Sequence, residues 1–298
     1  MPGLAELKVQ FEQFASNRYV QGGKDFLNSN NIIAKFAFLI LVLILFFILF
    51  NLGSMIINSL FSVDHNPILV DGMINAKQSL IIRQNPALKG AVPILRSMNQ
   101  RNGIEFTWSA WIYADDSNFL KSTPPDTKYK HIFHKGSDVF KPDGIANVLN
   151  APGLYFAPLQ VANKGNFARI RIVMNSFNTV YETVDIDDIP LNKWFHIVIR
   201  VTQQNNLDVF INSSLIKRHI LSGVPKQNFG DVFVAMNGGF SGNIASLRYF
   251  EKAIGSHKIN SLFKSGPNKK FVAGTMDVKA DTNSYLSTRW YLKSAVNI

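Results

Sequence analysis

From Phe36 to Phe50 every residue is apolar, and the run continues to Ile57 with only Asn51, Gly53 and Ser54 interrupting it. At about 1.5 Å per helical residue, about 22 residues cover roughly 33 Å, the depth of a hydrocarbon core. A buried core helix of this length would carry a polar stripe or end sooner. The segment reads as a single transmembrane helix with its ends at Phe36 and Ile57, and it makes the lipid bilayer the first expected partner. The region before it is too long for a signal peptide and no small-x-small cleavage site follows, so the anchor is expected to persist. Arg18, Lys24 and Lys35 lie before the span, whereas the first basic residue after it is Lys77. That bias puts the N-terminus on the cytoplasmic side and the remainder on the lumenal or exterior side.

The anchor divides the chain unequally. Before it, Leu4, Leu7, Phe11 and Phe14 recur at helical spacing between Glu6, Lys8, Glu12 and Gln13, which predicts a short amphipathic helix in an N-terminal cytoplasmic segment, 1–35. After Asp64 the pattern changes to short apolar or alternating runs bounded by Gly, Pro, Asn and Asp, the pattern of a β-sandwich or barrel. With no cysteine in the chain, disulfides, thiolate nucleophiles and sulfur-ligated zinc are excluded, and the β domain must stand on its apolar core.

Strands are expected at Ser79–Ile82, Phe106–Tyr113, His131–Lys135, Gly153–Ala157, Arg169–Asn175, Trp194–Thr202, Leu207–Ile211, Ser214–Ile220, Asp231–Met236 and Asn243–Phe250, with one helix near Gly255–Phe263. In Trp194–Thr202 the residues Phe195, Ile197, Ile199 and Val201 share one face, which predicts a core side, and the opposite face is expected to be at least partly wet. Asn212-Ser-Ser214 sits where a tight hairpin turn is needed, and it is also an N-glycosylation sequon.

Phe106-Thr-Trp-Ser-Ala-Trp-Ile-Tyr113, Trp194-Phe-His-Ile-Val-Ile-Arg200, Leu207-Asp-Val-Phe-Ile-Asn212 and Gly239-Phe-Ser-Gly-Asn-Ile-Ala-Ser-Leu-Arg-Tyr-Phe250 resemble, in order, the motifs of concanavalin A-like, laminin-G-like jelly-roll domains. The resemblance implies an all-β, two-sheet antiparallel jelly-roll sandwich over 103–266, preceded by the transmembrane helix and a linker with a leading strand at 58–102, and followed by a basic C-terminal extension at 267–298. A second resemblance rests on Asn66-Pro-Ile-Leu-Val-Asp-Gly-Met73, Leu80-Ile-Ile-Arg-Gln-Asn-Pro86, Pro93-Ile-Leu-Arg-Ser-Met-Asn99 and Tyr285-Leu-Ser-Thr-Arg-Trp-Tyr291, which look like membrane-anchored jelly-roll proteins of large DNA viruses of algae and protists. It implies a minor virion protein at the interface of internal membrane and capsid shell, with capsid or other virion proteins as partners. In the extension, Tyr285, Leu286, Trp290 and Tyr291 are expected to pack on the sandwich or a neighbour.

A search for chemistry returns little. Glycosidases of the concanavalin-like fold need paired carboxylates on one strand. The nearest run, Tyr181-Glu-Thr-Val-Asp-Ile-Asp-Asp188, sets Glu182 and Asp185 on opposite strand faces, and Asp187-Asp-Ile-Pro190 reads as a solvated loop. No phosphate-cradling glycine loop and no Gly-x-Ser-x-Gly elbow appears. His131 and His134, three apart in a strand, are expected to face opposite ways and so not to share a metal. No cofactor is expected; calcium enters only through the family resemblance, with Asp138, Asp143 or Asp231 as contributors.

The chain is expected to be a non-catalytic interaction protein. The formal charge of +11 favours an anionic neighbour. Arg171, Arg200 and Arg248 fall opposite apolar neighbours in their strands and could gather on one sheet, either as a docking face for an acidic glycan or protein or as a solvated face with arginines covering apolar surface. No basic run with interleaved aromatics suggests specific nucleic-acid binding. A lectin-like attachment protein is the alternative to a structural link, and a glycosidase stands behind both.

Overall fold

The computed structural model describes residues 32–61 and 64–272, apart from 98, 101–102, 120–126 and 159–166, together with positions 16, 21, 22 and 25. The expected amphipathic helix and the packing of Tyr285, Leu286, Trp290 and Tyr291 lie outside the described residues. The chain divides into two compact units, Met1–Ser62 and Val63–Ile298.

In the first unit, helix α1 runs from Ile32 to Phe61, and its stretch Lys35–Asn58 is long and apolar enough to cross a membrane, with none of it buried. The polar residues near its end satisfy themselves. Asn51 Nδ2 donates to Phe47 O at 2.8 Å and Ser54 Oγ to Phe50 O at 2.9 Å, i−4 back-bonding that satisfies these donors within the helix.

The second unit is a sandwich of two six-stranded antiparallel sheets. Sheet I has the order β1 (Met73–Asn75), β14 (Gly242–Phe250), β5 (Phe106–Ala114), β10 (Trp194–Thr202), β11 (Asn206–Ile211), β12 (Ser214–Ile220). Sheet II has the order β2 (Leu80–Ile82), β13 (Asp231–Val234), β6 (Lys130–Gly136), β7 (Asn150–Phe156), β8 (Phe167–Met174), β9 (Glu182–Pro190). β3 (Asn99–Gln100) and β4 (Gly103–Ile104) form a separate ribbon. The segment read as linker and leading strand thus supplies one strand to each sheet, and its Leu69, Val70, Ile74 and Ile82 join the main core.

Period-2 alternation explains the inner layer. Phe195, Ile197, Ile199 and Val201 of β10 meet Phe106, Trp108 and Ile112 of β5 and, from sheet II, Phe133, Leu154, Ile170 and Ile172 in one apolar cluster. Each such side chain contributes about 1.5–3 kcal/mol by leaving water. The β11–β12 hairpin turns on Asn212 and Ser213, both at positive φ (50° and 67°), the two left-handed residues that a tight two-residue turn demands.

The expectation of an at least partly wet outer face on β10 holds only at its end, where Arg200 and Thr202 are half-buried. Trp194, His196 and Val198 are all buried, because helix α2 (Ser256–Ser265) lies over sheet I. Ile259 and Phe263, one turn apart, are its buried residues. Phe263 packs with Trp111 and Trp194, and Ile259 with Val198, Phe210 and Phe250. Gly266, at φ 71°, ends the helix by donating its N–H to Phe263 O, and Pro267 prevents resumption.

Candidate functional site

The three arginines expected to form one basic face are divided between the sheets. Arg171 stands on β8 of sheet II, whereas Arg200 and Arg248 share the outer face of sheet I, since the register Val198–Ser109–Arg248 sets Arg248 two positions from Arg200 along the same face. The charges of Arg171 and Arg200 are also largely spent. Arg171 makes a bidentate pair with Asp185 (Nε–Oδ1 2.7 Å, Nη2–Oδ2 2.6 Å) and lies over the Tyr129 ring. Arg200 donates to Asp208 at 2.8 Å and to Ile254 O at 3.0 Å. Asp208 is fully buried and shared with Arg218, whose Nε donates at 2.6 Å. Burial would raise Asp208, but hydrogen bonds from Arg218 and Arg200 outweigh it and hold the carboxyl below the usual carboxylate range.

The carboxylate run is a strand, not a loop, through Pro190. β9 pairs with β8 so that Asp185 opposes Arg171, and Asp187 bonds Arg169. Cross-strand arginines neutralise the acids while Val184, Ile186 and Ile189 fill the core, and an irregularity in the pairing accommodates Asp188 at φ 59°. Glu182, at the start of β9, accepts from Ser222 N (2.8 Å), Ser222 Oγ (2.9 Å) and His219 Nε2 (3.0 Å). Every acid of the run that a hydrolytic pair would use is therefore committed to a cation or a hydrogen-bond donor, or, like Asp188, stands at the irregularity.

His131 and His134 do not face opposite ways. The pairing of β6 with β7 shifts register between His131 and Phe133, so Ile132 and Phe133 both enter the core and His134 returns to the face of His131. Their rings meet with Nε2 of His131 2.7 Å from Nδ1 of His134. Met236 N–H donates to His131 Nδ1 at 2.9 Å, which puts the His131 proton on Nε2, and that proton is donated to His134 Nδ1. The His134 proton then sits on Nε2, which donates to Ser137 O at 2.7 Å. All four nitrogens are used, and both rings are neutral. Burial pushes His134 down to about 4, and burial with the neighbouring His134 ring pushes His131 well below its ordinary value. Among the described residues no group of three His, Cys, Asp or Glu side chains could hold a metal. Of the acids considered for calcium, Asp143 bonds Lys141 and Ile145 N, and Asp231 bonds Arg83 and Gln84 N.

Asn212 is half-buried at its turn, with Oδ1 accepting from His196 N–H at 2.9 Å. The anchor ends named from sequence, Phe36 and Ile57, fall inside α1.

The basic feature that does assemble is built from lysines. A cleft of about 510 Å³ at the end of sheet II is lined by Lys128, Lys130 and Lys141 with Tyr129, Phe140 and Asn237. Lys128 and Lys130 flank the start of β6, and the loop carrying Phe140 and Lys141 is pressed onto Tyr129: a Cβ on Gly144, which has φ 91°, would meet Tyr129 O at 2.6 Å. Phe140 also packs edge-on against both His131 and His134, so the neutral histidine pair lies directly beneath the cleft. Lys141 lies 3.3 Å from Asp143 and over the Tyr181 ring. The sequence reading missed this cleft because it weighed arginines in mid-strand. The signal was Lys128-Tyr129-Lys130 at a strand start followed by Phe140-Lys141, cations beside aromatics at loop positions.

No family model matches the chain, and no curated protein does. Among solved structures it is similar to the receptor binding domain of botulinum neurotoxin D (13% identity, TM-score 0.43, covering 69% of this chain and 46% of that one). It is also similar to the binding domain of Paraclostridial Mosquitocidal Protein 1 (17% identity, TM-score 0.40, 67% and 46%). A third similarity is to the binding domain of botulinum neurotoxin DC in complex with SialylT (17% identity, TM-score 0.36, 54% and 35%). The chain spans less than half the length of each, and at TM-scores below 0.5 these similarities carry neither a fold nor a function across to it.

Proposed function

We propose that the protein is a membrane-anchored binding protein without catalytic activity, a minor virion component that holds an internal membrane to the capsid shell through its jelly-roll domain. The observation that carries this reading is the presence, in one chain, of an unburied apolar helix of 30 residues and a folded sandwich whose Asp185 and Asp187 are tied up in ion pairs while lysines line its cleft. A permanent anchor beside a binding domain makes a tether. The lysine cleft is the contact for an acidic face of a shell protein, and the motifs at Asn66–Met73 and Tyr285–Tyr291 support the virion assignment by resemblance. In this reading 1–35 is cytoplasmic and 267–298 adds further positive charge against an anionic surface.

A second reading is an attachment protein for an acidic glycan, favoured by Tyr129 and Phe140, which offer ring faces beside the lysines. Locating the protein in purified particles separates the two. A tether is present in stoichiometric copies and is protected from external protease until the shell is opened. Exposure on intact particles together with binding to an acidic glycan array would overturn the first reading in favour of the second.

A further inference from the structure

Lys135 occupies an unusual place for a lysine. It pairs with Val232, a core residue, so its side chain enters the space between the sheets, and it is 7% exposed. A lysine this buried is almost always paired with an acid. Here Nζ donates to a single carbonyl, Gly230 O, at 2.6 Å, and no carboxylate stands within ion-pair distance of it among the described residues. The nearby Asp231 is already bonded to Arg83 and Gln84 N.

The amine borders a cavity of about 130 Å³, close to the size that holds one benzene ring. Its walls are Phe106, Trp108 and Tyr249 from sheet I and Ile94 and Leu95 from the segment before β3, with Arg96 at its edge. Trp108 is buried and its Nε1–H has no partner; Gln227, also on the wall, has an unpartnered Oε1. Phe229, on the same wall, is 93% exposed, yet both of its neighbours are pinned: Asn228 Nδ2 donates to Lys135 O and its Oδ1 accepts from Gly230 N–H, both at 3.0 Å. A rigid turn holds an aromatic ring out beside an aromatic cavity that is bordered by an unneutralised ammonium, a spare indole donor and a spare amide acceptor.

We infer that this cavity binds a small carboxylate with a flat, ring-sized apolar body, its charge received by Lys135 and its ring seated among Phe106, Trp108 and Tyr249. The site is separate from the lysine cleft and independent of the tether reading. Aromatic walls supply the affinity for the ring, and a desolvated ammonium supplies the preference for an anion. Burial pushes Lys135 down to about 8, so it is charged at neutral pH, and a bound carboxylate would raise it again.

Titration calorimetry of the full chain in detergent micelles tests the inference, with benzoate as probe and benzamide as its uncharged counterpart. Benzoate binds saturably at one site, benzamide at least tenfold more weakly, and Lys135→Met loses the benzoate signal while keeping the thermal unfolding transition. In the unmodified protein the benzoate affinity holds below pH 8 and falls above it by roughly tenfold per pH unit as the free ammonium is lost, an arm that needs no variant. Equal affinity for the two probes, no benzoate binding, affinity unchanged from pH 7 to 9, or full binding by a folded Lys135→Met protein would each overturn it.

Discussion

The two outer faces of the sandwich begin from the same alternation and end differently. On sheet I the outward residues of β5 and β10, Trp111, Trp194, His196 and Val198, are sealed under α2, and the single acid of that face, Asp208, is fully buried between two arginines. On sheet II the loop carrying Phe140 and Ile145 packs on His131, His134, Tyr155 and Val173, and beside it β8 and β9 carry a ladder of partly exposed pairs, Arg169–Asp187 and Arg171–Asp185. An ion pair therefore means different things on the two faces. Asp208, fully buried, and Arg200, mostly buried, depend on each other because water cannot replace either, whereas Arg218, 54% exposed, and the ladder residues can turn to water.

Four measurements break or sharpen that contrast, taken from the largest expected effect downward. Ile197 lies in the layer common to both faces, and Ile197→Asp buries an unpaired charge there at a cost of several kcal/mol, enough to abolish the cooperative unfolding transition. A soluble Ile197→Asp protein with an intact transition would contradict the sandwich. Asp208→Ala strands Arg200 under α2 and should lower the urea-derived stability by about 3–5 kcal/mol. A loss below about 1 kcal/mol would mean that face is open to water.

Acid provides the third test, since the buried histidines are neutral in the folded state. Unfolded, they titrate near 6.5; folded, His134 waits until about 4, and burial pushes His196 down to about 3. As pH falls from 6.5 towards 4 the unfolded chain takes up protons that the folded one refuses, so stability is lost across that window; the His134 share, about 3 kcal/mol, levels off below pH 4, while the His196 share goes on being lost down to about 3. Paired acids such as Asp208 lose their contribution only at lower pH, so the urea midpoint between pH 7.5 and 5 reports the histidines. An unchanged midpoint would refute their burial. The smallest effect belongs to the open ladder: Asp187→Ala should change stability by less than about 1 kcal/mol, its side chain being 57% exposed.

What sequence could read was whatever alternation determines locally. The inward set of β10, the left-handed hairpin at Asn212 and Ser213, and the strand β5 are all visible in period and turn chemistry. What it missed required knowing a neighbour. The end of β9 looked like a loop because Asp187-Asp-Ile-Pro190 seemed too polar for a strand until Arg169 was placed beside Asp187. The histidine pair needed one irregular residue, which inverts the alternation beyond it and leaves no mark in composition. The sealing of sheet I depends on a helix more than fifty residues after β10, whose apolar face could be read but whose destination could not. The sites suffered most: Arg171 and Arg200 were legible as cations but not as already paired, and the lysine cleft exists only where two distant loops converge.

The pairing pattern of sheet I also sets a timetable for biosynthesis. β5 is flanked by β10 and β14, and β1 finds its partner only when Ala245 has been made, so both edges of β5 stay unsatisfied through most of translation. The lid follows later still. The apolar helix α1 is translated before any of these strands, so in the tether reading this long-range assembly takes place on a nascent chain already held at a bilayer. Local concentration there is high, and β-strands awaiting distant partners are slow to fold and prone to pair wrongly. A ribosome stalled between β10 and α2 would leave Trp111 and Trp194 uncovered, a ready handle for chaperones.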